Sequence, residues 1–205
     1  MFYDILDKER ISVLPKLSFL KDRFYLAGGT GLALQLGHRD SVDFDFFTKK
    51  SFNTFDLYKE LLEIFGQENI SKISEENNTL NIILNGKIKL SFFLYPYLLL
   101  EPLIKEEFLN IAGIVDIGCM KLSAVVSRAV EKDYIDLYFI LKQISLGTLL
   151  LKAKEKMPDL DYNLILKSLI YFSDVSTENI IFKHNHEVSF NKVKGFLEEE
   201  VKKLY

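Results

Sequence analysis

The chain has 205 residues, of which 48% are hydrophobic and 27% charged, a mixture typical of a globular protein with a sizeable buried core. Its formal net charge of -3 excludes the broad basic field with which proteins bind duplex nucleic acid non-specifically, although a local basic groove is compatible with it. The single cysteine, Cys119, excludes an internal disulfide and a cysteine-built zinc site, and no secretion signal is evident, so we expect a cytoplasmic protein.

The predicted elements begin with a short strand that runs into a glycine turn. Residues 24–27 form an apolar run typical of a buried strand, which Gly28 and Gly29 interrupt. Thr30 is expected to cap the next helix, because its hydroxyl can accept a hydrogen bond from a free backbone N–H. Gly37 is expected to end that helix. Such a helix start directs backbone N–H groups toward a place where phosphate could bind, although a plain structural turn has the same sequence.

The next predicted strand carries an Asp-x-Asp pair. Residues 42–47 are mostly apolar, which predicts a buried strand, and Asp43 and Asp45 lie on one side of it because side chains alternate along a strand. Two carboxylates side by side are costly to bury unless a metal ion or a base compensates, and at this spacing they can share a divalent cation. An exposed strand edge is the alternative interpretation, but the glycine pair and Arg39 nearby favour the metal site.

A helix and a β-hairpin follow. Residues 52–65 show the periodicity of an amphipathic helix. Asn85 and Gly86 both tolerate the positive φ of a tight turn, which makes them the strongest hairpin signal in the chain. They predict a hairpin that joins strands near residues 80–84 and 87–94.

The second hairpin strand separates apolar from mostly polar side chains. One face is apolar, and the other face holds Lys87, Lys89, Ser91 and Phe93. The apolar stretch of residues 92–100 is too short to span a bilayer and contains Pro96. We therefore expect no association with a membrane.

Helical periodicity dominates after about residue 115. Helices are predicted over residues 117–130 and 134–144, with further helices from residue 146 onward. The sequence therefore predicts an α+β fold in which a small mixed sheet flanked by helices precedes a C-terminal helical bundle. We expect the sheet region to occupy residues 1–115 and the helical region, residues 116–205, to close a cleft over it.

Basic residues recur in the first of these predicted helices and just beyond it. On one ideal helix Lys121, Arg128 and Lys132 would fall within roughly 40° of one another. Such a stripe could hold triphosphate oxygens or a nucleic-acid backbone, and a solvated helix face has the same pattern. Asp133 is expected to cap the next helix, with Asp136 one turn inside it, both in structural roles first.

The histidines are interpreted as structural. His184 and His186 alternate in a way that could bind a metal ion, but their polar neighbours favour an exposed loop or strand. His38 is expected to form hydrogen bonds beside the site rather than to act as a catalytic base.

These motifs, in this order, resemble the nucleotidyltransferases of the abortive-infection AbiEii/AbiGii toxin type, within the polymerase-beta-like superfamily. The resemblance extends from about residue 24 to residue 141. It depends on residues 27–34 (AGGTGLAL), 37–47 (GHRDSVDFDFF), 120–124 (MKLSA) and 132–138 (KDYIDLY). The first two stretches are the most specific.

The resemblance implies a role for each matching residue. The metal ligands would be Asp43 and Asp45, with Mg²⁺ as the ion and Mn²⁺ as the alternative. The residues that bind the nucleotide would be Gly28, Gly29, Thr30, Arg39 and Lys121. The catalytic set would be Asp43, Asp45, Lys121 and Asp133.

The resemblance also implies a reaction and its partners. A nucleoside triphosphate would donate its nucleoside monophosphate to a hydroxyl of RNA (tRNA) or of a protein, and pyrophosphate would leave. The protein would be the toxin of a toxin–antitoxin pair that a cognate antitoxin silences. An antibiotic-modifying relative would use the same Asp-x-Asp chemistry on a small acceptor, but the first motif block favours the toxin type.

One position departs from the superfamily. A third carboxylate usually lies on the strand after the Asp-x-Asp strand, and the matching residue here is Ser91. A neutral hydroxyl neither holds a second cation strongly nor accepts a proton near neutral pH. The alternative function is therefore a degenerate member of the superfamily that binds a nucleotide or a partner protein without turnover.

Overall fold

Seven strands form one mixed sheet, and eight α-helices accompany it, in a computed structural model that describes all 205 residues. The strands are β1 (Tyr25–Ala27), β2 (Phe44–Thr48), β3 (Ile70–Glu76), β4 (Thr79–Leu84), β5 (Ile88–Leu94), β6 (Ile104–Lys105) and β7 (Asn110–Ile111). The helices are α1 (Lys8–Leu17), α2 (Gly28–Leu36), α3 (Thr54–Phe65), α4 (Ile114–Ser127), α5 (Glu131–Ile140), α6 (Leu146–Lys156), α7 (Tyr162–Ile170) and α8 (Phe190–Lys202). The predicted α+β class is confirmed. None of the helices is long and apolar enough to cross a membrane.

The strands lie in the order β3-β4-β5-β2-β1-β7-β6. The central pair, β2 and β5, is parallel, and its register sets Asp45 opposite Ser91 and Phe47 opposite Phe93. On its other side β2 pairs antiparallel with β1, so that Ala27 lies opposite Asp45. Because β1 leads directly into α2, the start of this helix lies beside Asp45.

Each face of the sheet has its own hydrophobic core. Alternation along the two central strands points Phe44, Phe46, Leu90 and Phe92 to one face, where they are fully buried among side chains of α1 and α3. The second core joins the helices from α4 onward to β1 and α2 through Tyr25, Ala27 and Leu32, among others. The helical half of the chain therefore packs directly against the elements that precede Asp45.

Local sequence explains several element ends. Gly37 ends α2 in the left-handed conformation with a φ of 64°, and the Asn53 side chain caps α3 by accepting from two backbone N–H groups. Asn85 and Gly86, with φ values of 51° and 67°, form the predicted turn between β4 and β5. The hairpin prediction is confirmed.

Two predictions at the starts of helices are wrong. Thr30 does not cap α2, because the helix begins two residues earlier, at Gly28, and its N-cap residue is Ala27. Asp133 does not cap α5 either: the N-cap is Val130, and Asp133 lies inside the first turn. A carboxylate there still complements the positive end of the helix dipole.

The prediction that three basic residues form a stripe on a single helix is also wrong. Helix α4 ends at Ser127, Arg128 is extended, and Lys132 belongs to α5. The physical reason is a long-range pairing: the backbone of Ser176 bonds to Ala129 and Glu131 on either side of Val130, so these residues cannot continue the helix. The local periodicity carries no sign of this partner.

A buried ion pair joins α4 to α6. Lys156 Nζ lies 2.7 Å from Asp116 Oδ1 and donates to the carbonyl oxygen of Leu98 at 2.6 Å. Asp116 also accepts the backbone N–H groups of Leu100 and Glu101. Both charged side chains are fully buried, so each depends on the other for its compensation.

We expect Lys156→Met to lower the free energy of unfolding by about 3 kcal/mol, because it leaves the Asp116 carboxylate buried without its cation. Urea or thermal denaturation measures this loss. Lys152→Met is the matched control on the same helix, since Lys152 forms only an exposed pair with Glu155 and its loss leaves stability nearly unchanged. Equal effects of the two substitutions would contradict this account of the Asp116 pair.

Candidate active site

A cavity of about 550 Å³ lies over the face of the sheet opposite the α1–α3 core. Its walls come from the start of α2, from the strands β2 and β5, from α4 and from two segments with no regular structure. The side chains and backbone that matter most are those of Gly28, Gly29, Arg39, Asp43, Asp45, Lys89, Ser91, Lys121, Arg128 and Lys132. Most of the predicted site residues therefore share one cavity.

The two glycines allow close approach at the start of α2. Gly28 has a φ of +63°, and a Cβ there would lie 2.9 Å from Asp45 Oδ2. A Cβ on Gly29 would lie 2.7 Å from Arg39 Nη2. Only glycine fits at both positions without a shift, so the positive end of α2 comes next to one carboxylate and one guanidinium.

Asp43 and Asp45 both face the cavity, although only Asp45 belongs to β2. Val42, which was predicted to be in the strand, is 53% exposed. Burial, with the charge of Asp43 adding to it, raises the pKa of Asp45, while Lys89, Lys121 and a hydrogen bond from Ser91 act in the opposite direction. The two carboxylates are therefore close enough to repel each other, as two ligands of one cation would be.

Ser91 lies beside Asp45, as the resemblance implied. It lies opposite Asp45 on the adjacent parallel strand, is 1% exposed and lines the cavity. The side chain beside Asp45 on the adjacent strand is therefore a neutral hydroxyl, which favours the charged form of Asp45 and so opposes the rise in its pKa.

Two buried side chains, those of Thr30 and Arg10, hold the segment that leads to Asp43. Thr30 donates its hydroxyl to the carbonyl oxygen of Asp43 and lies 2.7 Å from Ser41 Oγ. Arg10, which is 6% exposed, donates from Nε to the carbonyl oxygen of Val42 at 2.6 Å. Thr30 is 1% exposed and does not line the cavity, so it positions the strand instead of meeting a phosphate.

The centre of the charged network is Asp136, which is fully buried on α5. Arg39 donates to both of its oxygens at 2.8 Å, Lys121 Nζ lies 2.6 Å away, and His38 Nε2 lies 2.8 Å away. Burial alone would raise the pKa of Asp136, but Arg39, Lys121 and the hydrogen bond from His38 hold it well below the usual range. Asp136 is therefore an anion that fixes two cations of the site.

His38 takes part in this network as a neutral ring. Burial lowers its pKa, although Asp136 opposes that effect. Nε2–H donates to Asp136, and Nδ1, which then carries a lone pair, has no partner. The structural role expected for His38 agrees with these contacts.

Asp133 forms a second ion pair with Lys121. Its Oδ1 lies 2.7 Å from Lys121 Nζ, and its Oδ2 accepts from Arg128 Nε at 2.9 Å. Asp133 is fully buried and does not line the cavity, so the structure sets it behind Lys121. Lys121, Arg39 and Arg128 thus carry three positive charges against the two negative charges of Asp133 and Asp136, and all three cations line the cavity.

One wall of the cavity could not be predicted from the sequence. Residues 178–181 lie across it, anchored by backbone bonds from Asp40 N to the Ile181 carbonyl and from Lys183 N to the His38 carbonyl. Glu178 pairs there with Lys132 at 2.9 Å. No local motif marks this segment, because its contacts are with residues far away in the chain.

Metal-binding side chains are few. No cluster of three or more histidine, cysteine or acidic side chains that could hold an ion is present in the chain. His184 pairs with Asp4 at 3.0 Å, and His186 bonds to the Lys183 carbonyl, so neither joins the other at a metal site. Asp40 and Glu178 also line the cavity but pair with Lys183 and Lys132, so the lining carboxylates that form no ion pair are those of Asp43 and Asp45.

Comparisons with known proteins identify the family of the chain. The sequence model of one family, described as nucleotidyl transferase AbiEii toxin of type IV toxin–antitoxin systems, matches residues 13–199. An uncharacterised protein of Aquifex aeolicus is 37% identical over 205 aligned positions, and the match covers 96% of each chain.

Two solved structures share the fold. MenT4, a nucleotidyltransferase toxin of Mycobacterium tuberculosis, superposes with a TM-score of 0.61 at 15% identity over 93% of this chain and 80% of its own. The Helicobacter pylori protein JHP933 superposes with a TM-score of 0.58 at 19% identity over 98% of this chain and 91% of its own. At these identities the likeness concerns the fold alone.

We expect the stability contributed by Asp136 to depend on pH. Because its folded-state pKa is depressed, this contribution is complete above the unfolded value of about 4 and is lost as the pH falls through the folded value. The difference in free energy of unfolding between the wild type and Asp136→Asn, measured by urea denaturation, is expected to be largest near pH 7 and to shrink below about pH 4. A difference that stays constant from pH 7 to pH 3 would show that the Asp136 charge is not what holds the network.

Proposed function

The chain belongs to the AbiEii nucleotidyltransferase toxin family, and from this premise we propose that it transfers a nucleoside monophosphate from a magnesium-bound nucleoside triphosphate to a hydroxyl acceptor. The observation that carries this proposal is the meeting of the Asp43 and Asp45 carboxylates with the start of α2 and with Lys121 in one cavity. Carboxylates, helix N-termini and buried cations are the groups that bind a metal–triphosphate complex.

The donor set fits one magnesium ion. Mg²⁺ is usually bound through one or two carboxylates together with substrate phosphates and water, and Asp43 and Asp45 supply the two carboxylates. Ser91, which is neutral, adds no ligand charge for a second ion. When bound, Mg²⁺ would neutralise charge on the phosphate oxygens, and Mn²⁺ would satisfy the same ligands.

The remaining residues would bind and orient the triphosphate. The backbone of Gly28 and Gly29 would approach its oxygens at the positive end of α2, while Lys121 and Arg39, held by Asp136, would neutralise its charge. The acceptor hydroxyl would attack the α-phosphorus and lose its proton to water, the bond from the α-phosphorus to the bridging oxygen would break, and pyrophosphate would leave. Fixed cations act here without reorganising, which is the main source of catalysis that this site offers.

We further propose that the acceptor is an RNA, of which tRNA is the first candidate, and that the protein is the toxin of a toxin–antitoxin pair. Lys89, Arg128 and Lys132 add positive charge to the cavity that a phosphate backbone could contact. A protein hydroxyl is the second acceptor class. Family membership supports a cognate antitoxin protein as the partner that silences the activity.

One observation favours a second function. Because Ser91 replaces a carboxylate beside Asp45, the protein would be a degenerate member that binds a nucleotide or a partner protein without turnover. Both functions require the cavity to bind a nucleotide or a partner, but only the first forms a new phosphodiester bond.

Isothermal titration calorimetry with each nucleoside triphosphate tests the site. We expect binding that requires Mg²⁺ and that Asp43→Asn combined with Asp45→Asn weakens at least tenfold, because the charge that attracts the cation is removed. Glu178→Gln is the matched control, since it neutralises a carboxylate on the opposite wall that already pairs with Lys132. The control is expected to bind within about twofold of the wild type. Absence of binding by the wild type to any triphosphate would refute the transferase proposal.

Expression in a bacterial host tests the toxin proposal. We expect the wild type to arrest growth and Asp45→Asn, at equal protein level, to permit it, because transfer needs both carboxylates. Total RNA and protein from the arrested cells, incubated in parallel with purified protein and α-labelled triphosphates, identify the acceptor class by which fraction takes up label. Nucleotide binding without label in either fraction would favour the degenerate function.

A further inference from the structure

The floor of the cavity changes from charged to aromatic along the two central strands. Because β2 and β5 run parallel in register, their cavity-side residues form rows across the sheet. One row pairs Asp45 with Ser91, and the next pairs Phe47 with Phe93. Successive rows are about 7 Å apart, since two residues of a strand separate them.

Phe93 lies at the open end of this aromatic row. The Phe47 ring is enclosed by Tyr25, Phe93 and Tyr95, with centroid distances of 6.1, 5.4 and 5.7 Å. Phe93 contacts only Phe47 among the aromatic rings, remains half-buried and lines the cavity. The ring of Phe93 thus provides an apolar surface at the cavity, beside the enclosed ring of Phe47.

A further apolar side chain of the cavity comes from α4. Met120 lines the cavity there, directly before Lys121. A methionine side chain is flexible and polarisable and adapts to flat aromatic partners of different size. Phe47, Phe93 and Met120 offer no strong donor or acceptor, so a ligand between them is recognised by its face rather than by its polar edge.

These features fit the two ends of a nucleotide. The anionic end would lie over Asp45, Ser91 and the start of α2, where a cation and backbone N–H groups can meet phosphate oxygens. A row about 7 Å further along the strands leaves the space of one sugar between phosphate and base. Bases stack on aromatic side chains irrespective of their sequence identity, because every base has a π-face.

We propose that Phe93 is the residue on which the base of the nucleoside triphosphate stacks, with Phe47 behind it and Met120 of α4 as a further apolar contact. This subsite rests on the proposed transferase function and specifies how the donor nucleotide is oriented. It binds purines more tightly than pyrimidines, because purines present the larger stacking surface, and it does not select one base by hydrogen bonding.

Two ligands separate the subsite from the phosphate site: ATP, and inorganic tripolyphosphate, which lacks the base and sugar. With Mg²⁺ present, we expect Phe93→Ala to weaken ATP binding by roughly tenfold or more in calorimetry, within the range that loss of one stacked base gives. Tripolyphosphate affinity is expected to stay within about twofold, and Phe93→Tyr, which keeps the ring, is expected to restore ATP binding. Circular dichroism confirms that each variant is folded.

The chain contains no tryptophan, so a single Phe93→Trp substitution supplies a direct optical probe. We expect ATP to quench its fluorescence and tripolyphosphate to leave it unchanged. Phe196→Trp is the matched control, because Phe196 of α8 packs against Tyr138 of α5 and does not line the cavity. Its fluorescence is expected to respond to neither ligand.

Three outcomes would overturn the subsite. Equal losses of ATP and tripolyphosphate affinity in Phe93→Ala would mean that the ring only supports the phosphate site. Unchanged ATP affinity in that variant, with tripolyphosphate still bound, would overturn the subsite and leave the transferase proposal standing. Binding of neither ligand by the wild type would overturn both.

Discussion

The site depends on one buried carboxylate. Asp136, on α5, accepts from His38 and Arg39 of the loop after α2 and from Lys121 of α4, so a single anion joins two consecutive helices to a loop far earlier in the chain. Cations that are buried this deeply are stable only with a fixed counter-charge, and Asp133 supplies a second one to Lys121. The consequence is a set of cations whose positions are determined before any substrate binds, which is the arrangement that electrostatic catalysis of phosphoryl transfer requires.

Much of the fold and part of the site could be predicted from the sequence. The Asn85–Gly86 turn, the alternation of β5 and the short strands around the glycine pair depend on neighbouring residues, and local chemistry determined them. Alternation placed Ser91 on the mostly polar face of β5, and its position beside Asp45 was implied by the resemblance to the superfamily. The roles of Asp136 and of residues 178–181 could not be predicted, because their contacts cross about 100 residues of chain or more. The predicted end of α4 was too late in the chain for a similar reason, since the backbone of Ser176 forms hydrogen bonds with residues that periodicity assigned to the helix or to its end.

The fold and the function rest on different observations. Similarity to two solved structures at 15% and 19% identity establishes the architecture, whereas the family assignment rests on a sequence match over residues 13–199. The proposed chemistry rests on the cavity itself, which brings together two carboxylates, a glycine-bounded helix start and a fixed lysine. Ser91 gives this site its particular character, because it sets a neutral side chain beside Asp45 and leaves two carboxylates for one cation. Catalysis would then depend more on Lys121 and Arg39 than on a second ion.

The central claim is that Asp43 and Asp45 together hold the cation of a bound triphosphate. Its most direct test is a crystal structure with Mn²⁺ and a non-hydrolysable nucleoside triphosphate analogue, in which anomalous scattering locates the ion. We predict one anomalous peak between the two carboxylates, bridged to phosphate oxygens beside Gly28, Gly29 and Lys121. A triphosphate bound with its ion elsewhere, or an ion that contacts neither aspartate, would contradict the account.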